Sequence, residues 1–322
     1  MCRLWLSFER LDHLPPSTYN KKQRHSGNHK MLSRKPSHLT DGSGRLAGKI
    51  AVVTGAGCIG EQIGIGRAIS LAFARQDAII VAVDRNMTAA KVTSAMIEKE
   101  GGRSIAIEAD VTEISMVEKV VASCLKAFDT IDVLVNSVGG GRPGGALETT
   151  EAGWTEALSL NLTSAFNCSK AAMPTMVKQG RGSIVNIGSL HGTRYPGANM
   201  LGYCVAKAGL IQLSRCIALE FAASGVRSNT LLVGAADTPE FRRRFAERYG
   251  ANNVDAVMDI RDRLVPLGQC ASVWDVANAA IFLASDEAGH ITGTELAVDG
   301  GASAVTIPSY IPEATRLFGT KS

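Results

Sequence analysis

From Leu46 onward, short runs rich in Val and Ile, bounded by Gly, Asp or Asn, alternate with longer stretches of helical period. The runs cover residues 50–54, 79–84, 104–109, 133–136, 183–188, 227–233 and 295–298. The helical patterns lie near 66–75, 88–100, 113–128, 153–178, 202–223 and 273–285. A strand buried on both faces reads as a continuous apolar run, and a helix between consecutive strands lets them pair in parallel. The alternation therefore predicts an α/β fold, a single doubly wound domain over residues 45–303 around a seven-stranded, mostly parallel sheet. No linker or internal repeat divides it. Residues 236–264 interrupt the alternation just after the sixth strand, at the end of the sheet where such folds bind ligands.

The charge of the chain lies outside this body. The whole sequence has 322 residues and a formal charge of +4, but residues 1–44 hold eight basic side chains against three acidic ones. The remaining 278 residues carry 26 basic and 27 acidic side chains. Nucleic-acid recognition places Lys and Arg on a folded face, so a neutral body with a basic leader predicts no nucleic-acid partner. The leader also holds Pro15-Pro16 and four of the six histidines, a composition that cannot bury enough apolar surface to offset ordering, and it is read as disordered. Leu4, Phe8 and Leu11 fall at i, i+4 and i+7 of a short amphipathic helix, which leaves mitochondrial targeting open, although Glu9 and Asp12 are unlike an acid-poor presequence. A dispensable tail and a start at Met31 are the other readings. His25 and His29 have no acid or cysteine clustered beside them, so no metal site is expected there. Residues 304–322 are read as a C-terminal tail. The seven cysteines stand twelve or more residues apart, which excludes a Cys-x-x-Cys knuckle or a disulfide framework and suits a reducing, cytoplasmic compartment. No run approaches the ~18 apolar residues of a membrane span, so no membrane partner is expected.

Thr54-Gly55-Ala56-Gly57 follows the first strand, and Gly64-Ile65-Gly66-Arg67-Ala68 leads into the next helix. Glycines here let the backbone turn tightly against a pyrophosphate held at the helix N-terminus, as in a Rossmann fold; a plain strand-to-helix connection is the alternative. Asp84 ends the second strand 18 residues after Gly66, where a carboxylate accepts hydrogen bonds from an adenosine ribose and repels a 2′-phosphate. That favours NAD, while the neighbouring Arg85 keeps NADP possible. No Gly-x-x-x-x-Gly-Lys-Ser/Thr is present, which removes a P-loop.

Tyr203 and Lys207 lie four residues apart on an apolar helix, hence on one face about a turn apart. An ammonium near a phenol of ordinary pKa about 10 favours the phenolate and moves it toward a useful acid/base range. The alternative is a solvated helix face. Ser189 stands just past the fifth strand, either holding a substrate oxygen beside Tyr203 or serving as a turn serine. Asn161 falls inside the long helical pattern, where Asn is a poor helix former and needs a reason, catalytic or structural.

In this order the glycine-rich turn, Asp84, Asp110-Val111, Asn136, Asn161, Ser189 and Tyr203-x-x-x-Lys207 resemble the short-chain dehydrogenase/reductase family in its shorter, single-domain branch. The resemblance covers residues 46–303 and extends to Pro266-Leu267-Gly268, Thr292-Gly293 and Val298-Asp299-Gly300-Gly301. It implies hydride transfer between NAD(H) and an alcohol or ketone without a metal, with Tyr203 as general acid/base. Lys207 would bind the nicotinamide ribose and lower the tyrosine pKa, Ser189 would orient the substrate oxygen, and Asn161 would hold a water in a proton relay. Gly55, Gly57, Gly64, Ile65 and Gly66 would face the pyrophosphate, and Asp84 the ribose. Asp110 and Val111 would flank adenine, Asn136 would fix the fourth strand, and Thr238 would bond the carboxamide. It also implies a homo-oligomer, tetramer or dimer, for which the apolar helices 153–178 and 202–223 are suited. Three departures stand out: a glycine loop stretched by about five residues, Asn136-Ser137-Val138-Gly139 in place of Asn-Ala-Gly, and Val233-Gly234 in place of Pro-Gly.

The substrate is expected between segments 139–145, 189–199 and 236–264. Arg142, His191 and Arg242-Arg243-Arg244 would suit an anion, yet 237–264 holds six arginines and six acids and reads as a neutral, solvated lid. Leu190, Met200, Phe241 and Met258 would admit a hydrophobic alcohol or ketone. The rival reading is a non-catalytic dinucleotide sensor or scaffold of the same fold.

Overall fold

The computed structural model describes residues 44–305 apart from Pro196 and Ala198. The leader up to residue 43, with its amphipathic pattern, His25 and His29, and residues 306–322 of the tail lie outside the described residues.

Seven strands form one sheet: β1 (Ile50–Thr54), β2 (Ile79–Asp84), β3 (Arg103–Glu108), β4 (Val133–Asn136), β5 (Gly182–Ser189), β6 (Val226–Val233) and β7 (Glu295–Val298). Their order is β3-β2-β1-β4-β5-β6-β7, and every neighbouring pair is parallel. The order reverses between β1 and β4, so the loops after these two strands leave the sheet in opposite directions and open a crevice. Around the sheet lie the α-helices α1 (Ile65–Ala74), α2 (Met87–Lys99), α3 (Ile114–Phe128), α4 (Glu151–Leu158), α5 (Ser164–Gln179), α6 (Leu201–Glu220), α7 (Pro239–Tyr249), α8 (Val254–Arg263) and α9 (Val273–Ala284).

Successive side chains of a strand face opposite sides. Val53, Ile80, Val135, Val185 and Leu231 pack on one face of the sheet with Ile69 and Phe73 of α1 and Val276 and Ala280 of α9. Val52, Val81, Leu134 and Ile184 pack on the other with Val117 and Val120 of α3 and Cys168 and Met176 of α5. Toward the C-terminal ends the composition changes. Thr54, Asn136, Asn186 and Thr230 stand in one register row across β1, β4, β5 and β6, all buried. Asn136 Nδ2 donates to Asn186 Oδ1 at 2.8 Å and Ser169 Oγ at 3.2 Å, tying β4 to β5 and α5.

Two departures from the sequence pattern bear on the site. The single helix expected over 153–178 is two helices, α4 and α5, joined by a π-helical turn at Ser159–Thr163. Such a turn holds one extra residue, so the side-chain row steps sideways and an otherwise outward position can face the sheet. Segment 236–264 folds as α7 and α8. Thr238 caps α7 through a hydroxyl that accepts from Phe241 N, with Pro239 in the first turn. Among the described residues no helix is long and apolar enough to cross a membrane.

Phe73 is fully buried between α1 and the sheet. Phe73→Ala is expected to lower the unfolding free energy by about 3–5 kcal/mol, read from urea midpoints at unchanged slope.

Candidate active site

At three positions around the β1–α1 turn, Gly55, Gly57 and Gly66, the backbone or its neighbours require glycine. Gly55 takes φ +66°, and a Cβ on Gly66 would strike the Gly55 carbonyl oxygen. A Cβ on Gly57 would fall 2.6 Å from Ala89 Cβ and 2.7 Å from Asp84 Oδ2. Gly64 is the N-cap of α1, Ile65 its first residue, and no side chain caps this first turn. Asp84 is held in place: Oδ2 accepts from Gly57 N at 2.9 Å and Oδ1 from Asn86 N at 3.0 Å. A turn without room for side chains, an uncapped helix start and a fixed carboxylate at the next strand end suit a pyrophosphate and an adenosine ribose.

The stretched part of this loop has an organiser that the sequence pattern did not mark. Arg67, inside the apolar start of α1, is fully buried. Its Nε donates to Thr93 Oγ1, Nη1 to the carbonyls of Gly60 and Gln62, and Nη2 to those of Cys58 and Ala89. All five guanidinium N–H groups are thus used. Burial pushes the Arg67 pKa down from its ordinary value, opposed by Cys58, Asp84 and Glu61. Only the arginine's place beside a glycine loop could have signalled this.

Farther along the crevice, Asp110 Oδ1 accepts from the Thr112 amide at 2.9 Å and hydroxyl at 2.7 Å, which holds its carboxyl below the usual range. Asn167 of α5, unmarked by the sequence reading, donates to the carbonyls of Val111 and Thr112 and fixes this loop. Val111 is buried in the core beneath it. Asn136 lies one layer deeper, in the β4–β5 network. The Thr238 hydroxyl accepts from Phe241 N at the α7 cap, which leaves its proton free to donate.

Ser189, Tyr203, Lys207 and Asn161 come together at the ends of β4 and β5. Ser189 closes β5 and can hydrogen-bond the Tyr203 phenol, while its Oγ accepts from His191 N at 3.2 Å. Lys207 lies one helical turn from Tyr203, its Nζ 5.8 Å from the tyrosine ring centre and donating to Ile187 O at 2.8 Å. The π-helical turn aims Asn161 inward. Its Nδ2 donates to Gly140 O at 2.8 Å and Ala157 O at 2.9 Å, and its Oδ1 accepts from Gly140 N at 2.9 Å. The structural reason for an asparagine in this helix is therefore present. Asn161 also stands near Lys207, since a Cβ on Gly139 would lie 2.8 Å from Asn161 Oδ1 and 3.0 Å from Lys207 Nζ. The one-residue shift that brings Gly139 here, rather than Gly at 138, leaves room for both polar ends.

Electrostatics corrects one expectation. The spacing of Tyr203 and Lys207 predicted a depressed phenol pKa, but burial raises it, with partial relief from the Ser189 hydrogen bond. Desolvation of the buried phenol is the larger effect, and the Lys207 ammonium donates to the Ile187 carbonyl rather than to the phenol oxygen. Burial also pushes Lys207 down to about 8.

α7 reaches back over this site. Arg244 donates to Gly141 O and pairs with Glu240, and a Cβ on Gly141 would lie 3.1 Å from Tyr203 Cγ. The outer arginines pair with acids of the lid, Arg242 with Asp237 and Asp255, and Arg243 with Glu240 and Glu247. Arg142, expected near an anion, instead pairs with Glu156 at 2.8 Å on the surface. His191 stands edge-on to Tyr203 at 6.0 Å between ring centres.

A dinucleotide-type glycine loop and a serine–tyrosine–lysine group at one sheet edge define an oxidoreductase of the doubly wound class. Comparison with known proteins gives the family: a model described as enoyl-(acyl carrier protein) reductase matches residues 59–303, and the chain belongs to the short-chain dehydrogenase/reductase family. It is 39% identical over 80% of its length, and 98% of the relative's, to 2,5-dichloro-2,5-cyclohexadiene-1,4-diol dehydrogenase LinX of Sphingobium indicum. It is 33% identical, over 80% of its length and 97% of the relative's, to 2,3-dihydro-2,3-dihydroxybenzoate dehydrogenase of Bacillus subtilis. A crystal structure from Burkholderia xenovorans assigned to the same family superposes with TM-score 0.79 at 44% identity, covering 82% of this chain and all of that one.

Two measurements check the buried charges. Arg67→Met leaves several carbonyls unpaired and is expected to cost about 2–4 kcal/mol of stability in urea unfolding. Lys207 titrates near 8 folded and at its ordinary 10.5 unfolded. The unfolded chain binds more protons between these values, so the stability of the wild type relative to Lys207→Met should rise across that window. Denaturation midpoints taken from pH 7.5 to 10.5, on the order of this pKa window, read the slope.

Proposed function

We propose that the protein is an NAD-dependent dehydrogenase that oxidises a secondary alcohol with Tyr203 as general base, and reduces the ketone in reverse. The observation that carries this reading is the convergence of Ser189, Tyr203, Lys207 and Asn161 at one end of β4 and β5, beside the glycine loop. The rival reading of a sensor or scaffold has no need for such a group. NAD, when bound, supplies the hydride acceptor. Tyr203 Oη takes the hydroxyl proton, and Ser189 Oγ holds the same oxygen at hydrogen-bonding distance. Lys207 Nζ and Asn161 Oδ1 flank Gly139 and form the route by which a proton leaves toward water. Gly55, Gly57, Gly64, Ile65 and Gly66 present backbone to the pyrophosphate, Asp110 and Val111 flank the adenine, Asn136 braces β4 beneath it, and Thr238 faces the carboxamide.

Preference for NAD rests on Asp84. Two backbone amides fix its carboxylate, so it cannot swing away from a 2′-phosphate and repels it. Relatives named for a cyclohexadiene-diol and for a dihydro-dihydroxybenzoate share a hydroxyl on an unsaturated six-membered ring, which makes cyclic diols the first substrates to test. We extend the proposal to a homo-oligomer, tetramer or dimer, supported by exposed Phe166 on α5 and Leu201, Val205 and Leu219 on α6.

The test is a screen of cyclic diols and secondary alcohols with NAD and NADP, following reduced nicotinamide. Tyr203→Phe should abolish turnover, by about 10³-fold or more, while leaving NAD affinity within twofold. Full turnover by this variant would sink the chemistry. Asp84→Ser should narrow the NAD-over-NADP ratio at least about tenfold, equal to one repulsion of about 1.4 kcal/mol. Because the free phenol titrates above its ordinary value, kcat/KM for oxidation should keep rising with pH to at least about 9, and for reduction should not.

A further inference from the structure

Among the six arginines of the lid, Arg261 stands apart. Arg242, Arg243 and Arg244 are paired with Asp or Glu, and Arg248 and Arg263 are exposed. Arg261 is half-buried, and among the described residues no carboxylate lies within 4.0 Å of it. Its guanidinium carbon lies 4.5 Å from the centre of the Phe241 ring and 5.4 Å from that of Phe245, so two aromatic residues of α7 back it. Its only protein acceptors among the described residues engage Nη1: Ala236 O at 3.4 Å and Met258 Sδ at 3.6 Å, both weak. The Nε and Nη2 donors are unspent.

The position matters as much as the unspent donors. Ala236 lies just past β6, whose last residue, Val233, is the register partner of Ser189. The charge of Arg261 reaches His191, whose pKa falls below its ordinary value through burial first and Arg261 second. His191 in turn stands edge-on to Tyr203, with a buried Nδ1 that has no partner among the described residues. A line therefore runs from the Tyr203 phenol past the His191 imidazole to a half-buried guanidinium that no carboxylate among the described residues pairs. The whole-segment charge count hides this, because it sums the five other arginines with acids that neutralise three of them.

We propose that Arg261 binds a carboxylate carried by the substrate, its open fork taking the two oxygens while Phe241 and Phe245 hold the guanidinium plane from behind. A forked, charge-assisted pair of this kind is stronger and more directional than a neutral hydrogen bond, and the aromatic backing limits the freedom the side chain loses on binding. The substrate is then an acid with a ring-borne or chain-borne secondary hydroxyl, the hydroxyl at Tyr203 and the carboxylate toward α8. This assignment rests on Tyr203 being the reacting group.

The test separates the two readings by measuring binding without turnover. Benzoate and its uncharged analogue benzamide are titrated calorimetrically into the full chain, with and without NAD. The wild type should bind benzoate better than benzamide. Arg261→Met should weaken benzoate at least tenfold and benzamide less than twofold, and added salt should weaken benzoate alone. Arg261→Lys keeps the charge and guards against a lid that fails to fold; it should retain a preference for benzoate, at reduced affinity. Equal binding of benzoate to wild type and Arg261→Met, absence of benzoate binding, or loss of the preference in Arg261→Lys with an unchanged unfolding midpoint would each overturn the assignment. Inactivity toward every alcohol would strike the dehydrogenase reading instead, and leaves the benzoate result to decide this one.

Discussion

Burial of the parallel sheet on both faces is the constraint from which the rest follows. With α1 and α9 on one side and α3 and α5 on the other, both faces of the central strands are lined by buried apolar side chains. Parallel pairing also sends every strand the same way, so the C-terminal ends collect along one edge. Polar chemistry is confined there, and the change from Val and Ile to Thr54, Asn136, Asn186 and Thr230 marks the line where core gives way to site. The reversal of strand order between β1 and β4 splits the loops and supplies the crevice.

Two buried polar devices shape that edge. One is Arg67, which gathers three carbonyls of a loop too long to be held by glycine geometry alone and ties them to Thr93 and Ala89 of α2. The other is Asn161, turned inward by a π-helical turn and clamping both backbone groups of Gly140. Each has all its polar groups hydrogen-bonded within the protein, which is the condition for keeping such groups buried at tolerable cost. They bind the two loops that flank the crevice to the helices behind them, and so hold the glycine turn and the Ser189–Tyr203–Lys207 group at a fixed separation. Over this base, α7 reaches the site through Arg244 to Gly141, and α8 packs on α7 through Arg261 against Phe241 and Phe245.

The architecture and the residues that meet at the candidate site were legible in the linear pattern. Runs such as Ile50–Thr54 and Ile79–Asp84 begin and end where expected, because burial on both faces imposes apolar residues without a break. Tyr203 and Lys207 were legible because four residues make one helical turn wherever the helix lies. Their electrostatics was not. Whether an ammonium lowers a phenol pKa depends on what else each group meets, and here Lys207 meets the Ile187 carbonyl while Tyr203 meets low-dielectric surroundings. The split of helix 153–178 was invisible as well, since a π-helical turn leaves the apolar periodicity nearly intact on either side.

What the sequence determined by itself was therefore whatever depends on local period and composition: the strand–helix alternation, the glycine turn, the carboxylate at the end of β2, and the tyrosine–lysine spacing. Tertiary structure alone decided which charges are paired. Six arginines and six acids in 237–264 sum to zero on paper. A Coulomb interaction depends on distance and burial rather than on a count, so folding neutralises Arg242, Arg243 and Arg244 and leaves Arg261 on its aromatic platform without a counterion among the described residues.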